Sequence, residues 1–213
     1  MLEIFERDLI AETMRSTIDE VVAEHHSAKT QEHQLTARIG QKLEDRLNSL
    51  EILGNRFSVI TQDIPDKGRG ALESKTGIDL YVGIALSGAN GFSKAIFVQA
   101  KWANSKDQAG LAEQCEKMLN VSDASYAWIY GPNGVRVYDA AKLIGVPQAT
   151  LGGRLRGRDI NTLMRRVLDC KEGDPKYGIP ENAINRRRAV TALMEAINAK
   201  VGVDVRIIPQ SPE

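Results

Sequence analysis

Two apolar runs, IDLYVGIAL (78–86) and KAIFVQAKW (94–102), stand on either side of the glycine-rich turn GANG (88–91). Runs this rich in β-branched and aromatic residues, joined so closely, predict an antiparallel β-hairpin. Three polar side chains interrupt what otherwise reads as buried sheet. Asp79 lies between Ile78 and Leu80, and Gln99 and Lys101 bracket Ala100. Side chains alternate along a strand, so Gln99 and Lys101 share one face while Val98 and Ala100 take the other. Asp79, on the neighbouring strand, joins the pair if the register allows.

A carboxylate or ammonium buried without a partner is costly or becomes neutral. A divalent cation is one such partner, because carboxylate, amide and peptide oxygens are the hard ligands that Mg2+ takes. Lys101 beside it would orient or deprotonate an attacking water, or stabilise charge building on a phosphate. Two plainer readings stand next to this one. Asp79 can cap nearby amides at a strand end, and Gln99 and Lys101 can belong to a solvated sheet edge.

The rest of the chain supplies helices and more strands. Residues 2–24 carry Leu2, Phe5, Leu9, Ile10, Met14, Ile18, Val21 and Val22 at helical spacing. The polar stretch HHSAKTQEHQ follows, and its three histidines, His25, His26 and His33, read as loop residues. A second helix is expected from Leu35 to Leu53, striped by Leu35, Ile39, Leu43, Leu47 and Leu50, with Gly54 as its stop. FSVIT (57–61) reads as a strand and DIPDKGRG (63–70) as a loop. A helix over 107–120, the strands SYAWIYG (125–131) and VRVYD (135–139), a basic stretch entering another helix, and a final helix at AVTALMEAINAK complete the order. VDVRIIP reads as a last strand or a tail. The predicted fold class is α/β, a mixed central sheet flanked by helices, with extra helices at both ends. The expected organisation is an N-terminal helix and linker (1–34), a core (35–140) and a basic helical extension (141–213).

Composition narrows the class of partner. With 42% hydrophobic and 26% charged residues the chain is an ordinary globular one. No apolar run approaches the ~20 residues of a membrane span, and the acidic start MLEIFERDLIAE does not resemble a signal peptide, so a cytoplasmic protein without membrane contact is expected. Cys115 and Cys170 lie far apart and form no disulfide framework. The formal net charge is zero, yet residues 1–34 hold three basic groups against eight acidic, and residues 152–213 hold twelve against eight. A neutral total can therefore hide a positive face.

Gly77-Ile78-Asp79, a strand hairpin and Gln99-Ala100-Lys101 together resemble the PD-(D/E)xK nuclease superfamily, the fold of restriction endonucleases and Holliday-junction resolvases, in its Gln-x-Lys branch. The resemblance covers about residues 35–140 and implies a restriction endonuclease-like fold. It implies that Asp79 is the central metal ligand, that Gln99 and the Ala100 carbonyl complete the protein side of the site, and that Lys101 is the catalytic lysine. A glutamate from the preceding helix would join them, with Glu44 the best match and Gln41 or Glu51 as substitutes. The cofactor would be Mg2+, with Mn2+ able to replace it. Gln114 reads as a helix-surface or packing amide rather than a catalytic residue, and Tyr81 as a residue lining the site or filling core.

The implied activity is metal-dependent endonucleolytic hydrolysis of DNA, most naturally duplex, in restriction or anti-phage defence. Cleavage of RNA or branched DNA, and a catalytically inactive nucleic-acid-binding module, are the alternatives. Lys67, Arg69 and Lys75 precede Asp79 closely enough to meet a nucleic-acid strand, and Arg154, Arg156, Arg158 and Arg186 to Arg188 are further candidates, since phosphate contacts dominate nonspecific affinity. The N-terminal helix would cover the core or form a homodimer contact, and partner subunits of a defence system are also implied.

Overall fold

The computed structural model describes residues 2–26, 30–64, 76–105, 109–145 and 155–210. Helix α1 (Ile4–His25) and helix α2 (Glu32–Asn48) precede the short strand β1 (Glu51–Ile52) and the longer β2 (Asn55–Asp63). Strands β3 (Leu80–Leu86) and β4 (Phe92–Trp102) form the hairpin, with Leu80 opposite Val98 and Leu86 opposite Phe92. Helix α3 (Ala109–Leu119), strands β5 (Ser125–Gly131) and β6 (Gly134–Asp139), helix α4 (Ile160–Leu168), helix α5 (Arg186–Ile197) and strand β7 (Val201–Pro209) follow.

The seven strands make one mixed sheet in the order β1-β2-β7-β3-β4-β5-β6. β7 is antiparallel to β2 and parallel to β3, so the stretch read as strand or tail occupies the sheet interior. β4 and β5 are parallel. Apolar side chains pack on both faces. Leu80, Val82, Ile84, Val98, Val203 and Val205 meet α1, α2 and α4 on one side. Tyr81, Phe97, Ala127 and Ile129 meet Leu111 and Cys115 of α3 and Val190 and Met194 of α5 on the other. Burial on both faces is why β3 and the middle of β4 carry unbroken apolar sequence rather than alternation. Residues from 1–34, 35–140 and 141–213 share the first of these cores.

Two boundaries differ from those expected. α2 begins three residues before its apolar stripe and ends at Asn48, and Gly54 sits in the tight β1–β2 turn with φ +74° rather than at the helix end. His25 closes α1 and His33 lies in the first turn of α2, so two of the three histidines are helical. His26 follows directly, its ring edge-on to Trp102 at 5.7 Å. Among the described residues no helix is long and apolar enough to cross a membrane.

The outer edge of β2 beyond its short pairing with β1 is covered by α2. The Asn48 side chain accepts from the Val59 amide (2.7 Å) and donates to the Val59 carbonyl (3.1 Å). Glu44 accepts from the Thr61 amide at 2.6 Å. Side chains thus satisfy an edge that would otherwise offer itself to another strand.

Candidate active site

The polar residues gather at one end of the sheet, where β3 and β7 begin and β4 and β5 finish. The hairpin register brings Asp79 opposite Gln99: its amide donates to the Val98 carbonyl at 2.9 Å, one step before the Leu80–Val98 pair. Opposite residues of an antiparallel pair face the same way. Asp79, Gln99 and Lys101 are 7%, 2% and 8% exposed. A solvated edge is therefore excluded for the last two.

Gly77 sets the approach to Asp79. It has φ +72°, and a Cβ there would lie 2.5 Å from the Gln114 carbonyl of α3. Only glycine accepts both the left-handed backbone and that contact. That contact is with the Gln114 main chain, and the Gln114 side-chain Oε1 is buried without a hydrogen-bond partner. Tyr81 fills core: it is fully buried, and its hydroxyl donates to the Tyr177 carbonyl at 3.0 Å.

Asp79 receives donors on both oxygens. Its Oδ2 accepts from the Gln99 side-chain amide and from the Ala100 amide (3.1 Å), and its Oδ1 accepts from Lys200 Nζ at 3.2 Å. The Gln99 amide nitrogen also donates to the Ala100 carbonyl at 3.2 Å, while Gln99 Oε1 is buried with no partner. A half-turn of that amide would bring a third oxygen beside those of Asp79 and Ala100, the donor chemistry of a hard divalent cation. Among the described residues no group of three or more His, Cys, Asp and Glu could hold a metal. A cation here would depend on one carboxylate, one amide and one peptide oxygen. The unpartnered Oε1 is the feature that fits it.

Glu44 does not join this group. It faces the outer edge of β2, two strands from β3, held by the Thr61 amide and by Arg187 Nη2 at 3.2 Å. Gln41 bonds Asp45 within α2, and Glu51 lies in the edge strand β1 opposite Arg56. The glutamate that reaches the site is Glu32, twelve residues earlier on α2 and about 18 Å from Glu44 along the helix axis. Its Oε1 accepts from the Trp102 amide at 2.8 Å and its Oε2 faces Lys101 Nζ at 3.6 Å. A carboxylate in the first turn of a helix is favoured by the helix dipole. Sequence reasoning missed Glu32 and Lys200. The only signal for Glu32 was an acid just ahead of the α2 stripe.

The basic candidates divide. Lys67, Arg69, Lys75 and Arg154 lie outside the described residues. Arg158 is committed internally, to Glu172 at 2.6 and 2.8 Å, to Asp139 at 2.8 Å and over the Tyr126 ring at 5.4 Å. Its main chain pairs with Val137 of β6, two strands from β4. A guanidinium so engaged has no donor fork to offer a phosphate. Arg156 is exposed beside it. Arg186 is half-buried and paired with Asp204, Arg187 pairs with Glu44, and Arg188 is exposed. Arg136, exposed and joined through Ile129 to the Lys101 row of the sheet, is a cation at the site end that the sequence did not single out.

No protein-family model matches the chain, and comparisons with curated proteins and with solved structures return no match.

Proposed function

We propose that the chain is a Mg2+-dependent nuclease of restriction endonuclease-like fold that hydrolyses phosphodiester bonds in DNA. One observation carries the reading: Asp79, Gln99 and the Ala100 carbonyl converge across the hairpin, with an unpartnered buried amide oxygen among them and Lys101 on the same strand face. The mixed sheet covered by helices on both faces agrees with it.

Asp79, Gln99 and the Ala100 carbonyl would hold the ion. When bound, it supplies Lewis-acid stabilisation of charge on the phosphate and makes nearby water more acidic. The remaining work falls to the side chains. Lys101, two residues beyond Gln99 on the same face, directs its ammonium toward charge developing on the phosphate oxygens. Glu32 positions it, since one carboxylate oxygen is tied to the Trp102 amide and the other faces Lys101. Burial of all three hairpin residues keeps bulk water from screening these interactions.

Incubation with supercoiled plasmid, transfer RNA and a four-way junction in Mg2+ or Mn2+ tests the proposal and ranks the substrates. Asp79→Asn and Lys101→Ala are expected to reduce cleavage at least about 1,000-fold, on the scale of removing one transition-state charge stabiliser. Chelation should stop wild-type cleavage. Undiminished cleavage by both variants would remove these roles.

A further inference from the structure

We infer that Lys200 is an internal counter-ion that competes with a divalent cation for Asp79 and so sets the metal affinity of the site. The inference rests on the metal-dependent reading above and concerns a residue which that reading does not use. Lys200 immediately precedes β7. Its backbone is pinned beside Asp79: the Lys200 carbonyl accepts from the Ile64 amide at 2.9 Å, and the next residue, Val201, donates its amide to the Asp79 carbonyl at 3.0 Å. The side chain is different in character. It is 34% exposed, and its ammonium reaches Asp79 Oδ1 at 3.2 Å.

The two carboxylate oxygens are thus held by different kinds of donor. Oδ2 takes neutral N–H groups from Gln99 and Ala100, whereas Oδ1 takes a full positive charge. An ammonium and a divalent cation repel each other at one carboxylate, so Lys200 must retreat before the Asp79 charge is available. A lysine can do so, because its charge is compact and its four-carbon stem flexible. Lys101 does not play the same part, since its ammonium faces Glu32 instead. Among the described residues Lys101 faces Glu32 and Lys200 faces Asp79, so Lys200 holds the acid that the ion requires. Without metal, Lys200 keeps a nearly buried carboxylate compensated. With metal, it is freed at the mouth of the site, where a phosphate would meet it.

Titration of the full chain with Mn2+ by calorimetry tests this directly, without reference to cleavage. Lys200→Met and Lys200→Gln remove the charge and are expected to bind Mn2+ about tenfold more tightly, the scale of one partly exposed ion pair together with relief of cation–cation repulsion. Both should melt at a lower temperature than wild type without metal and show the larger rise when Mn2+ is added. Lys200→Arg retains the charge and should bind as wild type does. Asp79→Asn should bind no Mn2+ in either background. If wild type binds through Asp79 while the Met and Gln variants bind equally or more weakly, the role of Lys200 is overturned and the metal site stands. If no variant binds Mn2+ in a manner that depends on Asp79, the metal-dependent reading fails and this inference with it.

Discussion

Two buried aspartates face the same side of the sheet, Asp79 just before β3 and Asp204 opposite Gly83 in the neighbouring β7, and they are held in different ways. Asp204, in the middle of β7, is 0% exposed. Arg186, the first residue of α5, donates to its Oδ2 and its carbonyl, both at 2.5 Å, and to the Ser58 hydroxyl and carbonyl at 2.8 and 2.6 Å. Asn185 caps the helix by accepting from the Arg188 amide, which fixes where Arg186 enters. Asp79, at the strand end, is held by a partly exposed lysine, by the Ala100 amide and by the Gln99 amide, whose own oxygen lacks a partner. A planar guanidinium bonded at four points ties α5 to β2 and β7. An ammonium on a partly exposed stem ties nothing together that the backbone does not already hold. The first arrangement is a rivet, and under the proposed function the second is a site whose charge Lys200 covers.

The sharpest way to break that contrast is to remove one partner from each. Arg186→Ala leaves Asp204 buried without its cation and is expected to cost about 3–5 kcal/mol in urea unfolding. Asp79→Asn keeps shape and an acceptor for the Ala100 amide, and is expected to change stability by about 1 kcal/mol or less while removing cleavage. Equal destabilisation by the two would mean that Asp79 is another structural acid, and the contrast would vanish.

A second, smaller effect probes how tightly the rivet is set. Gly83 pairs with Asp204 across β3 and β7, and a Cβ on Gly83 would collide with Asp204 Oδ1 and with the Tyr81 hydroxyl. Burial, reinforced by the neighbouring Asp204 charge, holds the Tyr81 phenol well above its usual range, so it stays a neutral wall of this space. Gly83→Ala should cost about 1–3 kcal/mol through overpacking, read from the unfolding midpoint. A neutral outcome would show that Asp204 has room to move and is not fixed as a rivet.

How much of this could be read from the chain follows from the range of the interactions. The hairpin and its three polar residues were legible because alternation and a short turn are local facts, and the register needed only the β3–β4 pairing. The second acid was not. Glu32 lies in the polar stretch read as linker, ahead of the helix expected from Leu35, so the reading falls on Glu44, which the outer edge of β2 claims. Lys200 was invisible for a stronger reason. It reaches Asp79 only because β7 inserts between β2 and β3, a pairing between residues more than a hundred positions apart. Arginine clusters misled in the same way: Arg158 and Arg186 look like a basic face in one dimension and are internal ion pairs in three.

Glu172 offers the finest test of the same distinction, because it is an acid held as Asp204 is, but near the surface. Burial alone would raise its pKa. Hydrogen bonds from Arg158, Arg166 and Tyr126 outweigh burial and leave the carboxyl below its usual value of 4.5. A group whose folded pKa is depressed stabilises the fold above its unfolded value, and loses that contribution as pH falls through the folded one. Glu172→Gln keeps the shape and removes the charge. At neutral pH it should be less stable than wild type by about 1–2 kcal/mol, the scale of hydrogen bonds to an ionised acceptor. As pH falls below 4.5 that gap should begin to close, and it is lost once pH has passed through the depressed folded value and the folded wild type is protonated, since the variant has no charge to lose. Urea unfolding of both proteins from pH 7 to pH 3 measures it, and the difference between the two curves cancels the other carboxylates. A gap constant with pH would mean that Glu172 contributes through packing alone, and that fixed guanidinium partners do not by themselves mark a carboxylate as structural.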